Sequence, residues 1–169
     1  MAGNNKTPFP PHGRALICYT CYMKKLSILI AALFLCACAK YQTVTITLPD
    51  GFAVKARVAD TPEKKEKGLM FVKQLPEDEG MLFLSEQNER QHFWMKNTLI
   101  NLDIVFIEEN QTVSSVAEDV EHTYTYTPDY DIPRVQGYGK YVLELAAKTA
   151  SKHQVKPGAK ITFSLPEKK

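Results

Sequence analysis

From Val44 onward the chain is cut into short apolar–polar runs separated by turn-forming residues, a spacing that constrains it to a fold built mainly of strands. Val44-Thr45-Ile46-Thr47-Leu48 has the period of two that sends one side chain into a core and the next into water. Pro49-Asp50-Gly51 then supplies a turn, and Phe52 to Ala59 returns as the second strand of a hairpin. Asp60-Thr61-Pro62-Glu63 predicts a helix start: a capping side chain, a proline allowed in the first turn, and an acid near the positive end of the dipole. The short helix is expected to run to Gly68, which tolerates the positive φ of a C-terminal cap.

Further strands are expected at Met81 to Leu84, Phe93 to Met95, Leu102 to Ile107, Thr112 to Val116, Tyr141 to Leu145 and Lys160 to Leu165. A polar break, Ser85 to Arg90, separates the first two, and Lys96 to Asn101 connects the next pair. Residues 117–139, with prolines 128 and 133 and glycines 137 and 139, read as a long surface loop. Ala146 to His153 reads as a short helix. The fold class expected is mainly β (α+β): a small, compact, barrel-like antiparallel or mixed sheet with one or two short flanking helices.

Upstream, Met23 to Cys38 reads as a lipoprotein export signal. Lys24 and Lys25 form its positive region, and Leu26 to Ala37 an apolar run too short to span a bilayer, which takes roughly 20 residues. Ala37 is the small residue before Cys38, whereas bulky Leu35 precedes Cys36, so Cys38 is the expected site of lipid attachment. Residues 1–22 contain no acidic side chain and offer nothing that folds alone, which makes Met23 a candidate start. Cys18 and Cys21 form a Cys-x-x-Cys without a second pair or a strand–helix context. The organisation expected is a non-structural or misassigned extension over 1–22, a signal peptide over 23–37, an anchored linker over 38–41 and a single β domain over 42–166.

Cleavage before Cys38 removes Lys6, Arg14, Lys24 and Lys25 but none of the 19 acidic side chains, so the formal charge of +2 becomes −2. No dense basic stripe remains for a phosphate backbone, and nucleic acid is not an expected partner. The expected partners are a membrane, through the lipid, and a small polar ligand or an envelope protein. The expected place is the periplasmic side of a bacterial envelope. Ala39, where an aspartate would favour inner-membrane retention, points to the outer membrane.

KGLMFVKQLPEDEGMLFL (Lys67 to Leu84), FWMKNTLINLDIVFI (Phe93 to Ile107) and YVLELAAKTASKHQVKPGAKITF (Tyr141 to Phe163) occur in an order and spacing that resemble the bacterial and archaeal domain-of-unknown-function family 192. The resemblance covers about residues 42–165. It implies a compact, mainly β fold like a small barrel with a flanking helix, often exported, and no established activity. Val72, Asn101 and Ala146-Ala147 stand where the family more often has arginine, proline, and proline or alanine followed by glycine.

Chemistry is expected first at Trp94-Met95-Lys96-Asn97-Thr98 with Asp103 beyond it. Were this stretch extended, Trp94, Lys96 and Thr98 would share one side, and an indole, an ammonium, an amide at Asn97 and a hydroxyl suit a small polar ligand. The architectural alternative is that Trp94 fills the core, Asn97 and Asp103 satisfy backbone groups at a corner, and Lys96 pairs with Asp103. The enzymatic alternative, an envelope hydrolase or transferase, takes Lys96 as an amine and Asp103 or Glu144 as acid or base. No nucleophile elbow, metal-ligand spacing among His92, His122 and His153, or phosphate loop is present, so no metal or cofactor is expected. Met70, Met81 and Met95 read as core fillers, and His122 to Tyr130 as an aromatic, acidic surface loop.

Overall fold

The computed structural model describes residues 41–165. The extension, the signal segment, Cys38 and the last residues of the tail lie outside the described residues.

Seven strands form one mixed sheet in the order β5-β4-β6-β3-β2-β1-β7. β1 (Thr43–Thr47) and β2 (Ala53–Ala59) make the expected hairpin. Its turn uses Gly51 at φ +91 and a bond from the Phe52 N–H to Asp50 Oδ1 at 3.0 Å. Helix α1 (Pro62–Lys67) starts as the sequence predicts, with Thr61 as N-cap accepting the Lys64 N–H at 3.3 Å. It ends at Gly68, whose φ of +45 is a conformation that side-chain-bearing residues rarely adopt. α1 and the segment after it carry the chain to β3 (Glu79–Trp94), which runs parallel to β2; every other pairing is antiparallel.

β3 corrects the first expectation. The polar stretch Ser85 to Arg90 is not a break, because the strand continues through it with a register shift against β6 between Leu84 and Glu89. Pairing with β6 resumes at Glu89 opposite Gly139 and runs to Trp94, and period and polarity do not report that long-range ladder.

The loop expected over residues 117–139 is likewise shorter. β5 (Val113–Val120) enters it from one side and β6 (Arg134–Ala146) from the other, leaving 121–133 between them. Gly137 and Gly139 are points of close approach inside β6. A Cβ at Gly137 would overlap the Phe106 ring, and one at Gly139 would lie 2.9 Å from the Ile107 carbonyl carbon. Both glycines make β6 possible beside β4 (Leu102–Ile107).

The remaining elements are also shorter than the sequence predicts. Within Ala146 to His153 only α2 (Thr149–Lys152) is helical, since Lys148 takes the left-handed conformation at φ +70. The last strand narrows to β7 (Thr162–Phe163).

The sheet curls until its edges meet at one corner. Thr112 bridges Lys160, the Val113 N–H bonds the Ala159 carbonyl at 2.9 Å, and the Ile161 N–H bonds the Gln111 carbonyl at 3.1 Å. The central strands are largely apolar on both faces, as the runs Met81 to Leu84, Leu102 to Ile107 and Tyr141 to Leu145 require, the last two interrupted by Asp103 and Glu144. One face packs Ile46, Val54, Leu82, Val105 and Leu143 with Ile161 and Phe163. The opposite face packs Met81, Phe83, Ile104, Phe106 and Val142 under Leu69 and Met95. No helix among the described residues is long and apolar enough to cross a membrane.

Candidate functional site

β3 ends at Trp94, and the next four residues form a tight turn instead of an extended run. The alternation expected for Trp94 to Thr98 therefore does not apply. The Thr98 N–H bonds the Met95 carbonyl at 3.1 Å, and Asn97 takes φ +54, a conformation asparagine tolerates. Met95 is buried in the core, while Asn97 swings round beside Trp94 and Lys96.

Loops on two sides hold this turn. The Asn97 carbonyl accepts the Phe71 N–H at 2.8 Å, and Asn97 Nδ2 approaches Met70 Sδ at 4.0 Å. From the other side Thr123 gives its N–H to the Thr98 carbonyl at 2.8 Å and its hydroxyl to the Met95 carbonyl. Thr98 is buried, its hydroxyl donating to the Lys96 carbonyl at 3.3 Å.

The turn forms one wall of a groove of about 390 Å³, with Trp94, Lys96 and Asn97 facing Glu63, Glu66 and Lys67 of α1 and Met70 and Phe71 beyond it. Trp94 does not fill the core: it is 42% exposed, and the Lys96 ammonium lies 5.0 Å from its ring centroid. The partner of Lys96 is Asp129 at 3.5 Å, not Asp103.

A smaller cavity of about 30 Å³ adjoins the groove and shares Glu66, Lys67, Met70, Trp94 and Lys96 with it. Lys65, Gly68, Leu69, Phe83, Phe93, Thr98 and Glu144 complete its lining. Glu144 is only 5% exposed and projects from β6 between its cross-strand neighbours Met81 and Ile104. Its Oε2 has no hydrogen-bond partner. Burial pushes its carboxyl up to about 8, against the opposing pull of the Arg57 guanidinium.

The structure does not bring Asp103 to this group. Asp103 is fully buried on the face of β4 opposite Ile104, where Oδ1 accepts the Asp119 N–H and Oδ2 the Ala150 N–H, both at 2.8 Å. It satisfies backbone groups at a corner, as the architectural alternative held. The Lys96–Asp103 pair of the enzymatic alternative is not assembled.

Other singled-out residues are scattered. His92 lies in β3, His122 bonds Asn101 and Tyr124, and His153 bonds Asp50 and Glu77. Among the described residues no group of three or more His, Cys, Asp or Glu side chains is arranged to hold a metal ion. Met81 and Met95 are buried in the core, whereas Met70 lines the groove. In the loop, Tyr124 and Tyr126 stack with centroids 5.3 Å apart, exposed to solvent. Sequence reasoning missed Phe71 and the α1 side chains, because they reach the groove from another part of the chain.

A family profile matches residues 43–163, from the first residue of β1 to the last of β7, and that profile is DUF192, described as "Uncharacterized ACR". The chain belongs to the DUF192 family. Two solved structures are similar in fold to this chain. One, a "putative transcription regulator" from Sinorhizobium meliloti 1021, is 27% identical over 73% of this chain and 95% of its own, with a TM-score of 0.64. The other, a protein of unknown function from Novosphingobium aromaticivorans DSM 12444, is 32% identical over 72% of this chain and 84% of its own, with a TM-score of 0.61. Comparison with curated proteins finds no match. The profile match places the chain in DUF192, and the structural likenesses leave its activity open.

Proposed function

We propose that this DUF192 protein is a lipid-anchored, noncatalytic module of the bacterial cell envelope, held through Cys38, whose domain binds a small polar ligand beside Trp94. The observation that carries the binding reading is the groove of about 390 Å³. It joins exposed aromatic surface at Trp94 and Phe71 to the ammonium of Lys96 and the amide of Asn97, a mostly apolar concavity with a few polar groups. The anchor rests on the Lys24–Cys38 signal pattern and favours the outer membrane through Ala39.

The regulator assignment of the Sinorhizobium relative is not carried over, because the chain from Cys38 onward has a formal charge of −2 and no basic stripe. A thermal-shift screen of polar metabolites on the full chain tests the groove. Compounds that raise the melting temperature of the wild type should lose the effect in Trp94→Ala and Lys96→Ala, with the unliganded melting temperatures within a few degrees of wild type. Hits unaffected by both substitutions would place binding elsewhere. For the anchor, Cys38→Ser should remove the acyl mass and the cleavage before residue 38; a wild-type protein without acyl mass at Cys38 would refute lipidation at that residue.

A further inference from the structure

Glu144 carries the only carboxylate oxygen among the described residues that is buried without a hydrogen-bond partner. Buried polar atoms are almost always bonded, and this one borders a cavity of about 30 Å³ that shares Glu66, Lys67, Met70, Trp94 and Lys96 with the proposed ligand groove. That volume takes a group of one or two non-hydrogen atoms. A methyl group would leave the carboxyl unpaired. A hydroxyl would satisfy it but gain little from Phe83, Phe93 and Trp94, which also line the cavity. An ammonium uses both, pairing with the carboxylate and lying among aromatic rings.

The charged groups around Glu144 limit what the rest of the ligand can be. Arg57 lies in the same cross-strand row, one strand beyond Met81, and Lys65, Glu66 and Lys67 approach from α1. Lys96 borders both spaces, and its partner Asp129 is well exposed and 3.5 Å away, a weak competitor for an anion. We infer that the cavity and groove together take a small zwitterion bearing a primary ammonium group, with the ammonium against Glu144, the anionic group against Lys96, and the body along Trp94 and Phe71. This rests on the groove being a ligand site. Simple α-amino acids belong to the class.

Ammonium binding requires an ionised Glu144, whereas burial holds the free carboxyl at about 8. At pH 7 binding therefore expels about one proton, and affinity rises about tenfold from pH 6 to pH 7. No merely structural role of Glu144 would produce that linkage.

Titration calorimetry on the full chain in mild detergent, in two pH 7 buffers of different ionisation enthalpy, tests the assignment. The probes are L-alanine, L-phenylalanine, phenyllactate and phenethylamine. L-phenylalanine, L-alanine or both should bind with release of about one proton, and phenyllactate and phenethylamine should each bind at least tenfold more weakly than L-phenylalanine if that is the binder. Glu144→Gln should abolish proton release and the ammonium preference while the protein stays folded, and Lys96→Met should erase the preference for the zwitterion over phenethylamine. The inference is overturned if neither amino acid binds, if no proton is released, or if Glu144→Gln binds as wild type. In that event Trp94-dependent binding of another screened compound would leave the groove reading standing, and its absence would remove both.

Discussion

Replacing Asp103 by alanine should unfold the domain at a markedly lower temperature without touching the groove. Both carboxylate oxygens are used, each accepting a backbone N–H at 2.8 Å in a fully buried position. The Asp119 N–H belongs to a bulge in β5, where Leu102 pairs with Val120 but Ile104 pairs with Ala117. The Ala150 N–H lies in the first turn of α2, whose own N-cap residue, Lys148, makes no side-chain capping bond. A hydrogen bond to a charged group contributes roughly 1.5–3 kcal/mol, so losing two and stranding two buried donors should cost about 3–6 kcal/mol. Against the ~5–15 kcal/mol total of a typical domain this is large, and it corresponds to a fall in melting temperature of roughly 10–20 °C. Asp103→Asn keeps the volume and one acceptor, but its amide NH₂ confronts the other N–H, so it should recover less than half the loss. Urea titration should show a lower midpoint at unchanged slope. An Asp103→Ala protein melting within about 3 °C of wild type would refute the assignment of Asp103 as the tie between β4, β5 and α2.

Gly137→Ala should cost at least about 1–3 kcal/mol, because its methyl overlaps the buried Phe106 ring; adding Phe106→Leu should recover part of the loss in thermal melts, and a single variant as stable as wild type would contradict the packing. For Glu144 the folded value of about 8 lies above the ordinary 4.5, so its burden on stability is absent below about pH 4.5 and grows to about 5 kcal/mol as pH rises toward 8. Glu144→Gln should therefore gain on wild type from pH 4.5 to 8 in urea melts, and a difference independent of pH would refute this. Burial alone would lower the pKa of His153, but its bonds to Asp50 and Glu77 more than offset this and the net direction is up from 6.5. Its contribution is complete below pH 6.5 and fades as pH rises through the folded value, while lowered Asp50 and Glu77 lose theirs as pH falls below their ordinary 3.8 and 4.5. The cluster should thus stabilise most between about pH 4.5 and 6.5, and His153→Gln should flatten the alkaline side of the wild-type stability profile relative to its other titrations.

The hairpin, α1 and the doubly buried strands were legible because short-range chemistry decides them: alternation in Val44 to Leu48, the Thr61-Pro62 helix start, and near-continuous apolar runs in β4 and the central part of β6. Glycine and polarity misled where long-range contact decides. Gly137 and Gly139 signal a loop in sequence but serve close packing against β4, and Ser85 to Arg90 looks like a break yet lies within one strand. At the candidate site, Trp94, Lys96 and Asn97 were found because indole, ammonium and amide stand together in the chain. Asp103 was grouped with them by nearness in sequence, although strand alternation turns it to the other face. Glu144 had a signal of its own, a single acid inside the apolar run Tyr141 to Leu145. What that acid faces depends on α1 and the segment after it, far away in the chain.

The one parallel pairing, β2 with β3, obliges the chain to return along the sheet before it can start the next strand. That return path supplies Glu63, Glu66, Lys67, Met70 and Phe71, the whole far wall of the groove, while Trp94 and Glu144 belong to the ladder and Lys96 and Asn97 to the turn that follows β3. Lengthening or rewriting such a path costs little, about 0.6 kcal/mol per doubling of a flexible loop, whereas altering the ladder disturbs both apolar faces. The far wall of the groove can therefore differ among proteins with this sheet through changes in residues 60–78, while Trp94, Lys96 and Glu144 stay in place. On the proposed function, grafting that segment from one relative to another should alter the preference for the body of the ligand and leave the strands as they are.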